Sequence, residues 1–170
     1  DPDDVVLDVG ACTGEYCLKI ASKVKKVIAF EPDDDSFFVL TKNIIDNEIK
    51  NVFISEQAVM SSSGKKDLYL SKGNNQGRNT MIPVSSRTTM EVDCISISEI
   101  LETYPEITKI KLDCEGSEYE IIKSIKDWGN VKAIILEYHP WLLDDIDGSK
   151  YKELIDLLSN TFLTVEYEKE

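Results

Sequence analysis

"VVLDVGACTGEY", residues 5–16, decides the fold. Its first five residues are valine-rich and apolar apart from Asp8. That is the composition of a strand buried on both faces. Gly10 and Gly14 bracket a short turn, and a helical pattern begins at Glu15. Strand, glycine turn and helix together open an α/β sheet domain, whose ligands gather at the carboxyl ends of the strands. The spacing G-x-x-x-G lacks the middle glycine of the dinucleotide fingerprint, and no G-K-[ST] follows to make a phosphate loop.

Outward from this unit, apolar runs alternate with helical periodicity, as in a parallel sheet covered by helices. A helix is expected over 15–23, with Leu18 and Ala21 on one side, and a second strand over 27–30. Asp33 or Asp34 caps the next helix, whose stripe is Phe37, Leu40, Ile44 and Ile45. A third strand covers 52–57. Residues 60–95 change rhythm and read as two or three inserted strands, antiparallel, with a polar tip "SKGNNQGRNT" at 71–80. Further elements follow: a short helix over 96–102, a strand over 109–112, a helix from Glu118, a strand over 133–137, an amphipathic helix and a last strand over 162–167. The amphipathic helix is marked by Tyr151, Leu154, Ile155 and Leu158. Ser117 and Glu120 have the spacing of a capping box.

The bulk properties exclude several classes. A chain of 170 residues with 42% hydrophobic residues supports one domain over 1–170. The net charge of −13 argues against nucleic acid or an anionic membrane as partner, since phosphates need cations. No apolar run reaches spanning length. Four cysteines without a C-x-x-C pair read as reduced thiols, some buried, and point to a cytoplasmic setting. A first strand so close to Asp1 suggests a piece of a longer protein.

Asp8 narrows the ligand more than the glycines do. A pyrophosphate beside this carboxylate would be repelled, whereas an ammonium or sulfonium would be attracted. The amino-acid end of S-adenosylmethionine carries an ammonium. Glu31 closes the second strand in "VIAFEPD", where a carboxylate accepts hydrogen bonds from a ribose diol. Either acid alone is equally a cap for a helix or turn. Together, across a strand–loop–helix–strand unit, they point to a nucleoside ligand.

The pieces "VLDVGACTGEY", "VIAFEPDDDSF", "EQAVMSSSGK", "VDCISISEIL", "IKLDCEGSEYEII" and "IILEYHP" resemble, in that order, the FkbM-type methyltransferases. The resemblance implies a Rossmann-like class I methyltransferase fold, S-adenosylmethionine as methyl donor and, usually, a hydroxyl oxygen as acceptor. It implies that Asp8, Gly10 and Gly14 lie along the methionine portion, with Ala11 among the cofactor contacts of the same loop. It implies Glu31 on the ribose and Gln57–Ala58 near the adenine. It places Asp113, Glu115, Gly116 and Glu118 at the cleft mouth, with Glu115 also touching the cofactor. The chain departs from the family at Cys12, where Asn is frequent, and a thiol is the weaker hydrogen-bonding group.

An alcohol becomes a good nucleophile only as its proton leaves, so a carboxylate or histidine belongs beside it. "KLDCEGSE" and "LEYHPW" end strands expected to be neighbours, which makes Asp113, Glu137 and His139 the catalytic candidates. His139 is the only histidine. No metal is expected: one histidine with scattered carboxylates is not a diagnostic ligand pattern, and "DDIDG" at 144–148 fails as a calcium loop because leucines fall at its first and twelfth positions. The acceptor class is a glycan, lipid or other small molecule. Specificity is expected in "SKGNNQGRNT" and "HPWLLDDIDG", where Trp141 either packs into the core or stacks on a sugar. The acidic chain disfavours an anionic acceptor unless Arg78 or Arg87 reverses the local field. Two other readings are a nicotinamide-dependent oxidoreductase, which lacks its G-x-G-x-x-G and Y-x-x-x-K, and a non-catalytic nucleoside-binding domain.

Overall fold

The computed structural model describes residues 1–71 and 76–162. Strands β1 (Val5–Val9), β2 (Lys26–Phe30), β3 (Val52–Ser55), β7 (Lys109–Leu112) and β8 (Ala133–Leu136) form one parallel sheet in the order β3-β2-β1-β7-β8. The chain runs outward from β1 to β3, then returns to the other side of β1. Strand order therefore reverses between β1 and β7, and a cleft opens there at the carboxyl ends.

Period-two alternation sends the strand side chains into two cores. Val5, Leu7, Val9, Ile28 and Phe30 pack with helices α3 (Ile97–Thr103), α4 (Glu118–Ser124) and α5 (Ser149–Thr161). Val27 and Ala29 face the opposite way and pack with α1 (Glu15–Ile20) and α2 (Asp34–Asp46). The helices thus cover both faces. Asp33, not Asp34, caps α2, accepting from the Ser36 amide at 2.9 Å and its hydroxyl at 2.8 Å.

Several expected boundaries shift. The first helix ends at Ile20 and continues as a 3-10 turn over Ala21–Lys23, and its buried residue is Cys17, not Leu18. Leu40 and Ile44 anchor α2, whereas Ile45 faces solvent. The third strand stops at Ser55. The fifth parallel strand, β8, stops at Leu136, leaving Glu137 just beyond it. Of the expected last strand, Phe162 is an extended residue closing α5, and the rest lies outside the described residues, as do residues 72–75 of the polar tip.

The inserted segment forms a second sheet from β4 (Ala58–Met60), β5 (Gly64–Tyr69) and β6 (Thr89–Ser96), in the order β4-β6-β5. Only β5–β6 is antiparallel; β4 and β6 run parallel. The reason is topological. The chain reverses after β4 and again before β6, so β6 slots between the other two in the direction of β4. Ser96 then caps α3 by accepting from the Glu99 amide.

Gly10 is the tightest constraint. Its φ is +74°, and a Cβ there would stand 1.9 Å from the Asp113 carbonyl oxygen. The loops leaving β1 and β7 touch backbone to backbone, and no side chain fits between them. Gly10→Ala is expected to cost at least about 3 kcal/mol of unfolding free energy. Gly129→Ala, at φ +51° with nothing within 4 Å, should cost only about 1 kcal/mol. Urea denaturation of the two variants checks the contrast, and equal losses would contradict it.

Candidate active site

The cleft at the strand ends has a volume of about 230 Å³. Of the residues expected to bind a cofactor, Gly10, Glu31, Ala58 and Glu115 line it, and so does the catalytic candidate Asp113. Asp8, Ala11, Gly14 and Gln57 do not. Ala11 and Gly14 are buried in the turn behind the wall, and the Gln57 Oε1 accepts from the Ser55 hydroxyl at 3.0 Å.

Glu31 leaves β2 and faces the glycine turn. Its Oε2 accepts from the Cys12 amide at 2.8 Å and its Oε1 from the Asp33 amide at 2.9 Å. Burial pushes its carboxyl up to about 7, against those two amide bonds, and the nearby Asp33 and Asp8 add to the rise. Cys12 sits at φ +49°, in the left-handed region that asparagine tolerates better than other side chains do. This explains why asparagine suits the position. The contact to Glu31 comes from the backbone amide and does not depend on the side chain.

Asp8 is fully buried beneath the cleft floor. Its Oδ2 accepts from the Cys17 thiol at 3.2 Å, and its Oδ1 lies 3.2 Å from Lys111 Nζ. Lys111 is a site residue that local sequence pattern does not mark. Its Nζ also donates to the Gly10 carbonyl at 3.0 Å and lies 3.6 Å from Asp113. Burial opposes a charge on Lys111, but Asp8 and Asp113 outweigh it and raise its pKa, so the ammonium persists. The signal lies in the pairing: "KIKL" puts lysines at alternate positions of a core strand, and Lys111 is the register partner of Asp8.

The catalytic candidates come together around Asp113, although Glu137 and His139 are not among the residues that line the cleft. One ligating atom from each of Asp113, Glu137 and His139 lies within 4.8 Å of the others. His139 is buried, and its Nδ1 lies 3.2 Å from Glu118 Oε1. Its Nε2 faces Glu137 at 3.5 Å and Glu115 at 3.7 Å. Burial disfavours the charged ring, but Glu118, Glu115 and Glu137 together raise its pKa.

Glu118 is expected at the cleft mouth and at the start of a helix. It is fully buried and its carboxylate accepts from the amides of Cys114 (2.9 Å) and Gly116 (3.0 Å), clamping the "DCEG" turn. The expected capping box is absent: the Ser117 hydroxyl makes no hydrogen bond, because Ser117 has helical backbone angles (φ −86°, ψ −6°) instead of the extended ones that aim a cap side chain at the first turn. Glu115 holds φ +53° in that turn, an uncommon conformation of the kind concentrated at functional sites. Trp141 is 69% exposed rather than in the core, its ring edge-on to His139 at 5.3 Å. Arg87 is committed to the backbone carbonyls of Arg78 and Tyr69.

A parallel sheet of this order, with an acid after β2, a glycine turn after β1 and acids after β7, defines a class I methyltransferase domain. Residues 8–163 match the methyltransferase FkbM domain, and the chain belongs to that family. It is 31% identical over 172 residues to the hexuronic acid methyltransferase AglP of Haloferax volcanii, covering 99% of this chain and 67% of that protein. It resembles in structure the methyltransferase FkbM from Methylobacillus flagellatus, with a TM-score of 0.50 at 20% identity over 72% of this chain and 29% of that one. The precorrin-6y C5,15-methyltransferase from Geobacter metallireducens gives 0.53 at 15% identity over 94% and 64%. No helix among the described residues is long and apolar enough to cross a membrane.

Removing Lys111 strands a buried carboxylate. Lys111→Met is expected to cost about 3 kcal/mol, and adding Asp8→Asn should recover more than half of the loss. Urea denaturation of the single and double variants measures this; strictly additive losses would contradict the pairing.

Proposed function

We propose that this domain transfers a methyl group from S-adenosylmethionine to a hydroxyl oxygen of a sugar. The observation that carries the reading is the division of the cleft. One wall is suited to a nucleoside and the other to a proton. Glu31 lines the first wall, and each of its oxygens keeps a lone pair beyond the amide it already accepts. That leaves it able to hold a ribose diol. Ala58 offers a small apolar surface beside it for a base. Gly10 lines the same wall, and the amino-acid end of the donor can lie along its backbone. The residues present therefore fit the donor.

In this reading Asp8 works from below. Through Lys111 it holds the Gly10 carbonyl and the Asp113 carboxylate in place, rather than meeting the ligand itself. It is thus a positioning residue. When bound, S-adenosylmethionine supplies a methyl carbon already activated by its sulfonium. The protein aligns the acceptor oxygen with that carbon and takes the hydroxyl proton. Asp113 and His139 stand where that proton leaves, with Glu137 beside them. Exposed Trp141 flanks the trio and offers a face on which a sugar ring stacks. The relative's hexuronic acid supports a glycan as the acceptor class.

Incubation with methyl-labelled donor and a panel of neutral and uronic-acid-bearing oligosaccharides should move label onto a sugar, with equimolar S-adenosylhomocysteine. Asp113→Asn should lower kcat roughly 10²–10⁴-fold while changing S-adenosylhomocysteine affinity little. Unchanged turnover in both Asp113→Asn and His139→Gln would remove the proposed acceptor wall.

Glu31 gives a pH dependence. Its carboxyl is raised to about 7, and the ionised form is the better acceptor for a ribose diol. Below that value the free protein must lose a proton to bind. S-adenosylhomocysteine affinity is expected to fall roughly tenfold from pH 8 to pH 6. Glu31→Gln should bind weakly at both values and flatten the profile, as calorimetry would show. A steep profile surviving in Glu31→Gln would assign the proton elsewhere.

A further inference from the structure

We propose that the cleft mouth is a divalent-cation site built from Asp113, Glu137 and His139, suited to a hard ion such as Mn²⁺. The three ligating atoms lie within 4.8 Å of one another. A cation with bonds of about 2.1 Å spans ligand separations of about 3 to 4 Å. Glu137 is exposed, and its side chain is free to close the difference.

The independent observation is the far end of His139. Glu118 is fully buried and stands 3.2 Å from Nδ1. A carboxylate there holds the proton on Nδ1 and turns Nε2 outward with its lone pair. The same second carboxylate fixes many metal-binding histidines. Nε2 makes no hydrogen bond among the described residues. It faces oxygens of Glu137 at 3.5 Å and Glu115 at 3.7 Å, at or beyond hydrogen-bond reach. His139 as a residue is 2% exposed, so few waters reach the ring. A ring nitrogen facing two carboxylates on a mostly buried residue calls for positive charge between them. A cation supplies it and draws on Asp113 from the neighbouring strand end. One imidazole among carboxylates is an oxygen-rich set, which favours Mn²⁺ or Mg²⁺ over the thiolate-seeking metals.

The site also answers a difficulty of charge. A cleft walled by Asp113 and Glu115, with exposed Glu137 beside His139, repels an anionic acceptor, and Arg87 is committed to backbone. A bound cation would reverse the field where the acceptor enters and lower the pKa of the hydroxyl it touches; with Asp113 and His139 Nε2 then engaged as ligands, the proton leaves to water and not to those two side chains. That role rests on the methyl-transfer reading; the binding does not.

The test is titration of chelator-treated protein with Mn²⁺, followed by calorimetry and by tryptophan fluorescence. Trp141 stands against His139, whereas Trp128 packs on Phe162. Saturable binding at one site with quenching of Trp141 is expected. Glu137→Gln, a surface change, and His139→Gln should each weaken binding at least tenfold. Asp147→Asn, in the outlying acidic run, should not. S-adenosylhomocysteine titrated into the same sample separates the claims: Mn²⁺ binding without nucleoside binding keeps the site and removes the methyl-transfer reading. No saturable Mn²⁺ binding, or affinity unchanged in Glu137→Gln and His139→Gln, overturns the proposal and leaves a proton as the charge on Nε2.

Discussion

The backbone contact between Gly10 and Asp113 sets the site. Because the two loops meet without a side chain between them, the ends of β1 and β7 are held at a distance that nothing larger than hydrogen tolerates. Lys111 locks the contact from beneath. One ammonium bonds the Gly10 carbonyl and balances both Asp8 and Asp113. The donor wall and the acceptor wall are both measured from this junction. Glu31 reaches it through the Cys12 amide, and the Asp113 cluster begins on its other side.

Charge is the second organising constraint. Carboxylates that would be costly to bury are each given a specific partner. Asp8 has Lys111 and the Cys17 thiol, Glu118 has two loop amides and the imidazole, and Asp33 has the first turn of α2. Glu31 is satisfied by two amides yet remains strained by burial, with its carboxyl raised to about 7. Such a perturbed acid in a cleft is what a ligand-binding group looks like before its ligand arrives. The left-handed conformations at Cys12 and Glu115 lie on the two loops flanking the cleft, where strain is offset by the surrounding packing.

Much of this was legible in the residues. The valine run before Gly10, the acid ending β2, the Asp33 cap and the three candidates on neighbouring strand ends all follow from local pattern and the topology it implies. What was not legible depends on pairing across the sheet. Asp8 pointed to a ligand when read along the chain, but its partner is Lys111, which lies beside it only because β1 and β7 are adjacent in register. Glu118 looked like a helix-opening acid, and its grip on the preceding turn needs the φ values of Glu115 and Gly116 to be known. The parallel pairing of β4 and β6 was hidden because short inserted strands carry no signal of which neighbour they choose. Trp141 could be core or surface by type alone; the 3-10 turn over Pro140–Leu142 turns it outward.

The most direct measurement is calorimetric titration of the folded chain with S-adenosylhomocysteine, with NAD(H) in a parallel cell. The account predicts saturable, one-to-one binding of S-adenosylhomocysteine and none of NAD(H), because the turn after β1 lacks the dinucleotide glycines while Glu31 keeps the ribose acid. Binding of NAD(H) alone, or of neither by a chain shown to be folded, would contradict it.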